Sequence, residues 1–99
     1  MLTIWKFPFE INDDVEIEMP MGARILHVDM QNGSPCMWAL VSSEAEKQKR
    51  RFLIFGTGHE LPQAPPFEPN DIRAYHVGSF QMADGQLVWH VFARPPWMK

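Results

Sequence analysis

Between Thr3 and Ile11 the chain alternates. Thr3, Trp5, Phe7, Phe9 and Ile11 fall on one side, and Ile4, Lys6, Pro8 and Glu10 on the other. A period of two is that of a strand with one buried face. Pro8 has no N–H to give a ladder, which places this strand at a sheet edge or at a bulge. Asn12-Asp13-Asp14 reads as a turn. Val15, Ile17 and Met19 then alternate with Glu16 and Glu18, predicting a second half-exposed strand that stops at Pro20-Met21-Gly22.

Residues 23–31 and 35–43 flank Gln31-Asn32-Gly33-Ser34, and Asn-Gly is the favoured pair for a type I′ hairpin turn. A two-residue loop sets Met30 opposite Pro35, Val28 opposite Met37 and Leu26 opposite Ala39, an apolar face. The other face pairs Asp29 with Cys36, His27 with Trp38 and Ile25 with Leu40. A second hairpin is predicted for 74–82 and 86–94 through Asp84-Gly85. It sets Met82, Phe80 and Gly78 opposite Leu87, Trp89 and Val91. Its mixed face pairs Gln81 with Val88, Ser79 with His90, Val77 with Phe92 and Tyr75 with Arg94.

Between the hairpins, residues 44–49 read as a charged loop or short helical turn, and 50–55 as a strand running into Gly56-Thr57-Gly58-His59. Four prolines within 61–69 forbid a regular helix or a central strand there, so 62–72 is expected to be a surface loop. Residues 95–99 form a tail. Short strands without a convincing helix between them imply one all-β domain over 1–99, a small antiparallel β-sandwich or partly open barrel of about seven strands.

Composition narrows the function classes. Nine basic residues against twelve acidic ones give a net charge of −3, which disfavours general nucleic-acid binding through phosphates. The one basic run, Lys47, Lys49, Arg50 and Arg51, reads as a solvated loop beside Glu44 and Glu46. The single cysteine, Cys36, permits no intrachain disulfide and no cysteine-based zinc centre, and reads as a small buried hydrophobe. Neither a signal peptide nor a membrane span is apparent, so a reducing cytoplasmic setting is expected.

Several segments resemble a known family: Ile4-Trp5-Lys6-Phe7-Pro8-Phe9-Glu10, 19–26 (MPMGARIL), Trp38-Ala39-Leu40-Val41, 55–59 (FGTGH) and Val88-Trp89-His90-Val91-Phe92. Together they are similar to small uncharacterised proteins of tailed-phage and prophage genomes, grouped as a domain of unknown function. The resemblance covers nearly the whole chain and carries no established activity. It implies a compact phage or prophage accessory protein, working in the host cytoplasm if phage-encoded. The stretch 62–73 is longer than that family's usual loop.

Candidate chemistry centres on Gly56, Thr57, Gly58 and His59. Glycines there let backbone N–H groups converge on an anion, with Thr57 and His59 adding donors; the plainer reading is a tight turn with φ > 0 at one or both glycines. His27 and His90 lie on the mixed faces of their hairpins and approach each other if those faces align. His76 and His90 are expected on opposite faces of one hairpin, so no shared metal is expected and no metal or cofactor is assigned. Ser79 opposite His90 suggests a nucleophile and base, but no Gly-x-Ser-x-Gly elbow surrounds it, and no catalytic residue is assigned. Trp97, on the tail, either folds back or docks on a second subunit.

The leading expectation is a non-catalytic binder of a phosphorylated or nucleotide-like ligand, using Gly56, Thr57, Gly58, His59, His27, His90, Tyr75 and Arg94. In a phage setting it would sequester a nucleotide signal of host defence. The alternatives are a module that binds a host or phage protein through a sheet edge or Trp97, and a hydrolase. Homo-oligomerisation fits the binding readings.

Overall fold

A computed structural model describes residues 1–98. Seven strands follow in order: β1 (Leu2–Pro8), β2 (Asp14–Pro20), β3 (Arg24–Gln31), β4 (Ser34–Ser42), β5 (Lys47–Gly56), β6 (His76–Met82) and β7 (Leu87–Ala93). A short 3-10 turn, Ile72–Tyr75, precedes β6. One sheet has the order β1-β4-β3 and the other β2-β5-β7-β6, with every neighbouring pair antiparallel. The fold is therefore all-β, two sheets that do not close into a barrel. Among the described residues no helix is long and apolar enough to cross a membrane.

The core is built by the odd positions of β1 and β2 against the inner faces of β4, β5, β6 and β7. Met19, Met37, Ala39, Phe52 and Val91 are fully shielded. Each such large side chain contributes about 1.5–3 kcal/mol by leaving water. Phe9 meets Phe80 edge to face, with centroids 6.0 Å apart and planes at 82°. The two sheets come closest where β3 passes β6. A Cβ on Gly78 would lie 3.0 Å from Val28 Cγ2, so only glycine lets the strands approach this far.

β1 is an edge strand ending at Pro8, as its proline requires. The turn of the first hairpin carries Asn32 at φ 50° and Gly33 at φ 82°, the left-handed pair of a type I′ turn. The second turn is wider than a two-residue loop. Ala83, Asp84 and Gly85 all have positive φ, and residues 83–86 separate Met82 from Leu87 while keeping the register.

Both hairpins depart from uniform alternation. In the first, pairing holds from Gln31 back to His27, then shifts, so Ile25 faces Ala39 and Arg24 faces Leu40. Leu26 is the extra residue and is 48% exposed instead of opposing Ala39. In the second, Gly78 faces Val91 but His76 faces Phe92, with Val77 the extra residue. Hence neither Val77–Phe92 nor Tyr75–Arg94 pairs, and Tyr75 belongs to the 3-10 turn.

The basic run is also not a loop. Lys47, Lys49, Arg50 and Arg51 belong to β5, alongside β2. Arg51 pairs with Asp14, and Lys49 Nζ lies 3.5 Å from Glu16 Oε1.

Alternation along β5 and β7 points Leu53 and Phe92 away from the core, yet they are only 5% and 7% exposed. This outer face is covered. Residues 59–71 hold no strand or helix, and from this stretch Leu61 lines one hollow with His90 and Phe92. Ile72, in the following 3-10 turn, is buried. Asp71 caps that turn by accepting from Arg73 N at 2.9 Å, and its side-chain bond to Arg73 holds its carboxyl below the usual carboxylate range.

Candidate functional site

The Gly56–His59 turn uses its own donors. Gly56 N–H donates to His59 Nδ1 at 3.2 Å, His59 N–H to Gly56 O at 3.1 Å, and Thr57 N–H to Val88 O at 3.2 Å. Among the described residues Gly58 alone of the four has no partner for its N–H, so the amides do not converge on a common point. Gly58 has φ +91°, and a Cβ on Gly56 would sit 3.1 Å from Cε1 of the exposed His59 ring, a tight contact. The geometry is that of a tight turn.

Beside the turn runs a polar chain. His76 Nε2 lies 3.3 Å from Ser79 Oγ, Ser79 Oγ 2.8 Å from His90 Nδ1, and His90 Nε2 2.7 Å from Thr57 Oγ1. Thr57 Oγ1 donates in turn to Val88 O at 3.5 Å. One orientation of protons satisfies every contact: His76 donates to Ser79, Ser79 to His90, His90 to Thr57, and Thr57 to the carbonyl. The bulge at Val77 brings His76 onto the face of Ser79 and His90, against the expectation from uniform alternation. His76 also stands edge-on to Phe92, with centroids 5.2 Å apart. A cavity of about 260 Å³ lies between the turn, Leu61, His90 and Phe92.

His27 is elsewhere. It sits on the outer face of the other sheet, 5.6 Å from the Trp38 ring and 3.5 Å from an Asp29 carboxylate oxygen. Val28 and Val91, the buried neighbours of His27 and His90, point inward from opposite sheets, so the two histidines face away from each other. Among the described residues no three His, Cys, Asp or Glu side chains are grouped to hold a metal.

Tyr75 and Arg94 share a cleft, though not as a cross-strand pair. They line this cleft of about 460 Å³ with Lys49, Arg50, Arg51 and the Pro95-Pro96 tail. An adjoining hollow of about 330 Å³ shares Arg50, Tyr75 and Ala93 and adds Arg24, Ile25, His76 and Val77. Five cationic residues and no acidic residue line the two together, with Lys49 and Arg51 engaged by Glu16 and Asp14 of the neighbouring strand. Both bulges end here: the residues just beyond Leu26 and beside Val77 form the walls.

Arg50 anchors the cleft. It lies in phase with Phe52 and Ile54 and so points inward, where Nη1 donates to Ala23 O at 2.8 Å and the guanidinium lies 5.4 Å from the Phe52 ring centre. Burial lowers its pKa, and a guanidinium stays charged nonetheless. Arg94 Nε is sealed from solvent and has no hydrogen-bond partner among the described residues. The tail folds back: Pro95 is fully buried and Trp97 half-buried, with its Nε1 also sealed. Trp97 thus packs on its own chain.

Sequence reasoning missed Arg24, Arg50 and the His76–Ser79 contact. For Arg50 a signal was present, since two-residue spacing from Phe52 sets it on the inner face. For the others it was not, because each depends on a bulge.

The family described as "Domain of unknown function (DUF7352)" matches residues 1–98. The chain belongs to this family. No curated protein and no solved structure matches it. The DUF7352 match covers both sheets and the arginine cleft, and it speaks to the family, not to a phage or prophage source.

Proposed function

We propose that this DUF7352 domain is a non-catalytic binding protein that takes a small phosphorylated ligand in the arginine cleft. The carrying observation is local charge: Arg24, Arg50 and Arg94, none of them ion-paired among the described residues, line adjoining hollows with Lys49 and Arg51, which are held by Glu16 and Asp14, in a chain of net charge −3. Phosphate oxygens are natural acceptors for such a set, and guanidinium groups bind them in paired geometry. Arg94 lines the cleft, and its guanidinium can donate to a ligand oxygen without calling on the shielded Nε. Tyr75, shared by both hollows, offers a ring against which a nucleobase could stack.

A nucleotide-like ligand fits this combination of cations and ring. In a phage or prophage setting, holding such a molecule would withdraw a host signal without chemistry, in the host cytoplasm. Titration calorimetry with inorganic phosphate, nucleoside monophosphates and cyclic nucleotides tests the reading. Binding is expected to weaken at least about tenfold in Arg94→Gln, corresponding to loss of one charge-assisted contact. His59→Ala, on the turn, is expected to leave it unchanged. Absence of heat from every phosphorylated probe, or equal binding by Arg94→Gln, overturns it.

A further inference from the structure

The free edge of β1 offers a second, independent surface. Phe9 N–H donates to Pro35 O and Ser43 N–H to Met1 O. With the unbroken register between β1 and β4, odd residues of β1 therefore direct their backbone groups at β4. Leu2, Ile4 and Lys6 direct theirs outward, where no strand lies. The side chains along this edge are apolar and open, with Leu2 71% and Ile4 56% exposed.

Edge strands usually carry guards against pairing, above all lysine and proline. Here Pro8 closes one end only. Lys6, the single charge among the outward residues, is drawn back across the sheet, its Nζ 2.8 Å from Gln31 Oε1. The edge from Leu2 to Ile4 is left without a charge.

We infer that β1 pairs antiparallel with β1 of a second copy, about a two-fold axis at Ile4. A two-fold contact must be self-complementary, and this one is: Ile4 meets Ile4, and Leu2 of each copy meets Lys6 of the other. The two lysines then stand four residues apart along the ladder, roughly 13 Å by strand rise and beyond the screening length of physiological salt. No like charges oppose. The result is a continuous six-stranded sheet in which Leu2 and Ile4 of both copies cover one another. A ladder of residues 2–6 from each copy is small beside the roughly 1,000 Å² of a specific interface, so the dimer is concentration-dependent.

Sedimentation of the full chain over a concentration series, with any tag at the C terminus, is expected to show a monomer–dimer equilibrium. Ile4→Lys sets two cations face to face at the axis and is expected to weaken it about tenfold or more without changing the melting temperature. Ile4→Cys places two thiols at a hydrogen-bonded pair, about 5.5 Å between Cα atoms and within disulfide range, and is expected to oxidise to a covalent dimer. Leu26→Cys on β3 is the control and is expected to stay monomeric. A chain that is monomeric throughout, or a dimer that survives Ile4→Lys or cross-links through Leu26→Cys instead, overturns the inference.

Discussion

The two hairpins carry the same irregularity by different means, and comparing them explains where the cleft comes from. Each keeps strict register from its turn back to the point where β3 passes β6, at Val28 and Gly78. Each then inserts one residue, Leu26 or Val77. Beyond that point the strands bend and diverge, and the hollow they leave is lined by Arg24, Ile25, Tyr75 and His76. Their turns differ more: Asn-Gly takes up a conformation that suits it, while the second loop forces Ala83 to φ 53°.

That comparison breaks first at its shared point. Gly78→Val would drive a branched side chain into Val28 and is expected to lower stability by about 3 kcal/mol, seen as a large drop in melting temperature. Next comes the anchor between the diverging strands. Arg50→Met keeps much of the stem but leaves the Ala23 carbonyl without its donor, with an expected loss of about 2 kcal/mol in denaturant titration.

The turns should respond with opposite signs. At Gly33 nothing crowds an added Cβ, so Gly33→Ala costs only backbone strain, about 1 kcal/mol. Ala83→Gly relieves similar strain and is expected to stabilise, by up to about 1 kcal/mol after the entropy of a more flexible unfolded chain. Equal signs for the two substitutions would mean that the second turn is not strained.

The smallest effect is in acid. Asp71 has a folded pKa below its unfolded value, so its contribution to the 3-10 turn is present above the ordinary carboxylate range and lost as pH falls through the depressed value. Protection of the Arg73 and Ala74 amides, relative to their intrinsic exchange rates, is expected to fall there while the strands hold, and Asp71→Asn is expected to flatten that response.

Much of the fold was legible because period two is a direct consequence of the pleat. Trp5, Phe7 and Phe9, and then Val15, Ile17 and Met19, declare their strands without help from the rest of the chain. Asn32-Gly33 fixed one register, and that register carried as far as His27. A bulge has no such local sign: Leu26 and Val77 look like any other strand residue, and only the crossing of β3 and β6 makes an extra residue favourable. Residues beyond them, Ile25 and His76 included, were therefore assigned to the wrong face. The Gly56–His59 turn was open to two readings. Its composition resembles an anion cradle, but composition does not record that His59 turns back to accept from Gly56.

The sheet orders bear on how the chain reaches this state. β3 with β4 and β6 with β7 are neighbours in sequence and can close as hairpins on a microsecond scale, about 1–10 μs. β1 must wait for β4, and β2 for β5, each across some thirty intervening positions or fewer once the hairpins have formed. Such non-local pairing is the slow part of β folding. On a ribosome the first strand to emerge is thus among the last to be seated. Until it is, the outer edge of β4 stands open, and the β1 strand of any nearby copy competes for the place.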